Sequence, residues 1–155
     1  MSVRVPHCVL ARLVKKDGTH PGYDFFGVCY MRTVPSDTEF PRVVSDLHLF
    51  LRFFVENAGP TAIRFRVWWC PQGRDRRLLT DLRPQGPLGQ IDFPASGHDY
   101  LDIAFRLPPV QLEGLGVHAI EAYCRPGRPR RGLPWQRKRG WNLVAVEYFA
   151  VERQS

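Results

Sequence analysis

From Ser45 to Asn57 the chain reads SDLHLFLRFFVEN, and every second residue is apolar. Leu47, Leu49, Leu51, Phe53 and Val55 share one face, while His48, Phe50, Arg52, Phe54 and Glu56 share the other. A β-strand does this; a helix would scatter the same residues around its circumference. The next run, TAIRFRVWWC, sets Ile63, Phe65, Val67 and Trp69 opposite Arg64, Arg66 and Trp68. Between the two lies ENAGP, rich in turn formers, which predicts that these strands form an antiparallel pair. Leu49, Leu51, Phe53, Phe65 and Val67, with Ile103 and Phe105 from a later strand, are the expected core.

Further strands follow, with turn signals between them. His7–Val14 is the first and ends at KKDG, whose Asp17-Gly18 favours a tight turn. Gly22–Arg32 is the second, with Gly22 and Gly27 weakening it or marking a bulge. Arg76–Leu82, Tyr100–Leu107, Gly116–Arg125 and Trp141–Glu152 complete a set of about eight, and Gln90–Phe93 is a candidate ninth. No segment longer than ten residues carries a 3.6-residue apolar stripe. Val34–Ser45, with Pro35 and Pro41, holds one helical turn at most. Short strands separated by Gly/Pro turns predict an all-β fold, a single antiparallel β-sandwich over residues 1–155. The Pro/Gly-rich segment 84–97 reads as a long loop crossing a sandwich edge.

Length and composition agree with one domain that has a real core: 155 residues, 44% hydrophobic and 12% aromatic. No window approaches 18 consecutive apolar residues, so no membrane span is expected. MSVRVPHCVLARLVKK lacks the apolar run and cleavage site of a signal peptide, so the expected location is cytoplasmic. Cys8, Cys29, Cys70 and Cys124 contain no CxxC pair, which disfavours a zinc site and predicts reduced thiols packed as small hydrophobes.

Charge changes the picture more. The net charge is +7, and Arg125, Arg128, Arg130, Arg131, Arg137, Lys138 and Arg139 fall within fifteen residues that hold no acidic one. The rest of the chain is balanced. The basicity therefore belongs to RPGRPRRGLPWQRKRG, residues 125–140, which must reverse the chain between two strong strands. Pro126, Pro129 and Pro134 oppose ladder pairing there, which predicts a stiff basic finger. Trp135 adds a flat apolar face beside the guanidinium groups, suited to stacking on a base or docking into a protein pocket. A solvated hairpin tip in an Arg-rich chain is the plain alternative: arginine supplies all but Lys15, Lys16 and Lys138 of the 22 basic residues.

Other chemistry is thin. The five histidines form no HxH or HExxH pattern, and His48 is expected to be structural. ASGHDYLD gathers Ser96, His98, Asp99 and Asp102, and on a strand His98, Tyr100 and Asp102 share a face in steps of roughly 6.5–7 Å. No nucleophile elbow accompanies them, so a turn that caps a strand end is the favoured reading and a small hydrolase the remote one. Asp99 and Asp102, three apart, would face opposite ways. GRDRR and PQGPLGQ are not phosphate loops. No cofactor or metal is expected.

Two features resemble immunoglobulin-like domains. Trp68-Trp69 sits on the strand where such folds bury a core Trp, and QLEGLGVHAIEAYC resembles the approach to their penultimate strand. His118 takes the place of the corner tyrosine and Ile120 that of the second cysteine, so the inter-sheet disulfide is expected to be absent. The chain also resembles, over most of its length, small bacterial β-sandwich proteins of unknown function of the DUF6941 type. The shared layout is LRFFVENAGPTAIRFRVWW, then FRLPPVQLEGLGVHAIEAYC, then WNLVAVEYFAVER. That resemblance implies a fold and no catalytic residues. The functional expectation is a non-enzymatic interaction module, an adaptor or subunit of a bacterial assembly whose finger meets an acidic protein surface. Accessory nucleic-acid binding is the alternative.

Overall fold

A computed structural model describes residues 3–16, 22–55, 59–82, 90–93, 100–126 and 140–155. The fold is all-β, a sandwich with twelve strands among the described residues. Those of the first sheet are β1 (Val3–Lys16), β2 (Tyr23–Val28), β5 (His48–Val55) and β9 (Tyr100–Arg106), in the order β2-β1-β5-β9. The second runs β3-β12-β11-β6-β7, from β3 (Met31–Val34), β12 (Asn142–Arg153), β11 (Gly116–Pro126), β6 (Gly59–Cys70) and β7 (Arg77–Leu82). β8 (Gln90–Phe93) extends the same edge of β6, and β4 (Arg42–Val44) pairs with β10 (Val110–Leu112) as a small third sheet.

The alternation places the core as expected. Leu49, Leu51, Phe53, Phe65, Val67 and Phe105 are buried in one cluster, and Ile103 packs against it. Phe65 of the second sheet meets Phe105 of the first edge-on, with ring centroids 5.0 Å apart. Ile120, Ala122, Phe149 and Val151 continue the cluster across β11 and β12. The four cysteines are free, with Cys29 and Cys124 buried. Burial pushes the Cys124 thiol up to about 12, so it packs as an inert hydrophobe.

Four sequence expectations need correction. First, β5 and β6 do not pair. β5 lies between β1 and β9, whereas β6 lies between β11 and the β7/β8 edge. The chain crosses between sheets after Val55, because two strands that each own one fully apolar face bury both faces by opposing them. Second, 22–32 is two strands. β2 belongs to the first sheet, while β3 runs parallel to β12 in the second, the one parallel pair in the described ladders. Third, Gly27 marks no bulge: the offset is the same on both sides of it, from Ala11↔Val28 to Lys16↔Tyr23, though the ladder skips the Arg12/Gly27 pair, in line with the weakening expected there. Its φ of +61° instead permits a bend, and a Cβ there would lie 2.9 Å from the Arg12 side chain. Fourth, neither Trp of the pair is a core residue. Trp68 faces outward, and half-buried Trp69 donates its indole N–H to the Leu115 carbonyl at 2.9 Å.

The bend at Gly27 has a large consequence. Tyr23 pairs with Lys16 and Phe50 pairs with Val9, seven residues apart on β1. A straight strand would hold these points about 23 Å apart. Their rings are 5.1 Å apart, and the Tyr23 hydroxyl donates to the Asp102 carbonyl at 3.1 Å. The β1–β2 hairpin is therefore folded back over the outer face of β5 and β9. Asp46 fastens the bend, accepting from Arg12 Nε at 3.0 Å and from Arg32 Nη2 at 2.6 Å.

His118 is fully buried and stacks on Phe149 at 5.1 Å, and its Nδ1–H donates to the Gly116 carbonyl at 3.1 Å. Its Nε2 is buried with no hydrogen-bond partner. Burial lowers its pKa and holds it neutral, while the Gly116 bond opposes this more weakly.

Two outcomes follow from this packing. Phe53→Ala or Phe65→Ala should cost about 3–5 kcal/mol, read as a shifted urea midpoint, because each leaves a cavity between the sheets. For His118 the unfolded state takes up a proton near pH 6.5, while the folded state does so only at lower pH. Stability should therefore decline as pH falls from 7.5 to 5, and His118→Phe should flatten that decline. A decline of equal slope in the variant would show that His118 does not cause it.

Candidate interaction surface

The outer face of the second sheet is built by the same alternation that builds the core. With Ile63, Phe65 and Val67 inward, β6 must turn Arg64, Arg66 and Trp68 outward. With Ile120, Ala122 and Cys124 inward, β11 turns out Glu121, Tyr123 and Arg125. The register sets Arg66 opposite Glu121, Arg64 opposite Tyr123, and Asp81 of β7 opposite Arg66.

These side chains form a continuous chain of contacts. Glu121 is its hub: its carboxylate accepts from the Trp68 indole N–H at 2.7 Å, from Arg76 Nη1 at 2.7 Å and from the Tyr123 hydroxyl at 2.5 Å. Burial would raise the Glu121 pKa, but these three bonds and the Arg76 charge outweigh it, so the carboxyl lies below its usual value. The Arg76 guanidinium lies 4.1 Å from the Trp68 ring centroid, and that of Arg66 lies 5.4 Å from Tyr123. Asp81 receives both arms of the Arg64 fork, with Nε at 2.6 Å.

The chain of contacts ends at the root of the basic finger. Arg64 and Arg125 both lie over the Trp141 ring, at 5.8 and 4.9 Å. Gly140, at φ +105°, turns the backbone into Trp141, where a Cβ would press to 3.3 Å on the Arg125 side chain. Of the expected finger residues, Arg125 is thus held at the root. Arg128, Arg130, Arg131, Trp135, Arg137, Lys138 and Arg139 lie outside the described residues. Sequence reading missed Trp68, Glu121, Tyr123 and Trp141 as parts of this surface. The signal was present in RFRVWW and EAYC, where polar and aromatic residues alternate with the core set.

Beyond Glu121 the same face becomes apolar. Met31, Ala150 and Val117 are in register across β3, β12 and β11, and Tyr148, Ala119, Trp68 and Leu78 across β12, β11, β6 and β7. Met31, Val117, Tyr148 and Leu78 are exposed. Exposed apolar side chains grouped on one face mark an interaction surface more often than scattered ones do.

The polar cluster around residue 100 separates. Asp102 is engaged by both arms of Arg52, at 2.7 and 2.7 Å, and the Tyr100 ring lies tilted against Phe54 with centroids 5.4 Å apart. Ser96, His98 and Asp99 lie outside the described residues. His48 is structural, with Nδ1 2.8 Å from the Arg12 carbonyl. Among the described residues no three His, Cys, Asp or Glu side chains gather as a metal site, and no helix is long and apolar enough to cross a membrane. Compared with protein-family models, curated proteins and solved structures, the chain shows no match.

Glu121→Ala strips the acceptor from a part-buried indole N–H and a part-buried phenol, so it should cost about 1–3 kcal/mol in urea unfolding. Glu121→Gln keeps an acceptor and should cost less. Equal midpoints for both variants and the parent would remove Glu121 as the hub.

Proposed function

We propose that the protein is a non-enzymatic interaction module, an adaptor or subunit of a bacterial assembly. Its contact surface is the outer face of β3-β12-β11-β6-β7 together with the basic finger 125–140. One observation carries this reading. A row of guanidinium–aromatic contacts leads from the finger's root to an exposed apolar field made by Met31, Val117, Tyr148 and Leu78. A protein partner with an apolar centre and an acidic margin would complement both ends of that face. Aromatic anchors beside arginine are also the side chains that dominate protein interfaces.

Nucleic acid is the second reading, favoured by seven basic residues and Trp135 in one segment. It gives no role to the apolar field, which lies at the far end of the face from Arg125 and Trp141.

Two variants separate the readings. Replacing Arg130, Arg131, Arg137 and Arg139 with serine should leave folding nearly intact, within about 0.5 kcal/mol per exposed site. Val117→Glu with Tyr148→Ser removes two of the four residues of the apolar field, those on β11 and β12. The partner is to be isolated by crosslinking in the native host and then titrated as purified protein. Both variants should weaken a protein partner at least tenfold. If a single-stranded oligonucleotide is the ligand, only the arginine variant should weaken, and its slope of log affinity against log salt should shrink by roughly one per lost phosphate contact. An arginine variant that binds like the parent would make the finger a solvated hairpin tip.

A further inference from the structure

The folded-back β1–β2 hairpin encloses a cleft on the opposite side of the sandwich, against the outer face of the first sheet. The cleft is open, has a volume of about 280 Å³, and is lined by His7, Val9, Tyr23, Phe25, Phe50 and Arg52. That is close to the lower end of the roughly 300–1,000 Å³ range of small-ligand sites. Phe50 forms the floor: it points away from the core, yet the hairpin leaves it only 4% exposed. Tyr23 leans on it at an interplanar angle of 57°, and Phe25 meets it edge-on at 83° with centroids 5.0 Å apart. Phe25 remains exposed, so part of its ring surface is open to solvent.

The polar end is as specific as the apolar one. Arg52 stands two residues from Phe50 on the same face of β5, roughly 6.5–7 Å along the strand. Its Nε and Nη2 are committed to Asp102, which fixes the guanidinium plane and neutralises its charge, while Nη1 is not part of that fork. His7 is its direct register partner on β1. The cleft thus joins aromatic surface to oriented hydrogen-bonding groups that carry no net charge as a pair.

Three ligand chemistries can be weighed against this. An anion would gain little from a cation already paired with a carboxylate. A purely apolar ligand would cover His7 and the outer edge of Arg52 and offer neither a hydrogen-bond partner. A neutral ring with one C–H face and a rim of hydroxyls fits both ends. We infer that the cleft is a sugar-binding site, which takes a pyranose ring with its C–H face against Phe25 and Tyr23 and its hydroxyls at Arg52 and His7. The site lies on the other sheet from the proposed partner surface and does not depend on that reading.

The test uses the full chain and saturation-transfer NMR. The probes are the methyl pyranosides of glucose, galactose, mannose and N-acetylglucosamine, with benzoate as an aromatic anion, each at about 5 mM to detect affinities near 1 mM. At least one glycoside should receive saturation on its ring C–H protons and should outcompete benzoate. Phe25→Leu keeps an apolar side chain on Phe50 but removes the ring face, and His7→Ala removes the exposed polar group. Each should reduce that binding at least about threefold. Should Phe25→Leu unfold, His7→Ala alone decides. Saturation of benzoate but of no glycoside, no saturation of any probe, or glycoside binding unchanged in the folded variants would each overturn the assignment.

Discussion

The structure rests on two strands that cannot leave their inner faces in water. β5 carries Leu49, Leu51 and Phe53 on one side, and β6 carries Ile63, Phe65 and Val67. Full burial of side chains this large stabilises by about 1.5–3 kcal/mol each, so their removal from water dominates the local energetics. Pairing edge to edge in one sheet would leave both faces needing a cover. Placement in opposite sheets lets each face cover the other, and the remaining strands then extend the two sheets on either side.

Once the inner faces are committed, the outer faces inherit everything else, and each is managed differently. On the second sheet, charge and aromatic surface are interleaved. Glu121 satisfies three donors at once, and four arginines lie over Trp68, Tyr123 and Trp141. These contacts brace β6 and β11 and reach Arg125 and Trp141, the described residues that flank the basic segment. On the first sheet, a hairpin bent at Gly27 covers Phe50 and leaves a cleft beside Arg52. The two faces are thus chemically distinct: one is a broad surface with a net excess of arginine, the other a small concave site with a neutralised pair.

Polar groups within the fold follow the same logic of satisfaction. Arg52, Arg64 and Arg76 each meet a carboxylate across neighbouring strands, which ties β5 to β9, β6 to β7, and the segment before β7 to β11. His118 is fully buried on β11. It makes one bond to the backbone, two residues upstream, and leaves one ring nitrogen bare. Burial holds its pKa below the usual histidine value, so protonating it works against the fold.

The sequence by itself determined which residues face inward. Period-two alternation is a property of each strand alone, so the all-β class, the core set from Leu49 to Phe105, the final β11–β12 hairpin and the local basicity of 125–140 were all legible. Alternation does not encode which strand lies beside which. The separation of β5 from β6, the parallel run of β3 along β12 and the division of 22–32 between sheets depend on how apolar faces cover one another in three dimensions. The same holds for function. Arg64, Arg66, Trp68, Glu121 and Tyr123 each read as an ordinary outward residue, and only the register β6–β11 brings them within hydrogen-bonding and stacking distance. Tyr23 and Phe50 lie 27 positions apart with no common motif, and they meet because a positive φ at Gly27 folds one hairpin over its own sheet.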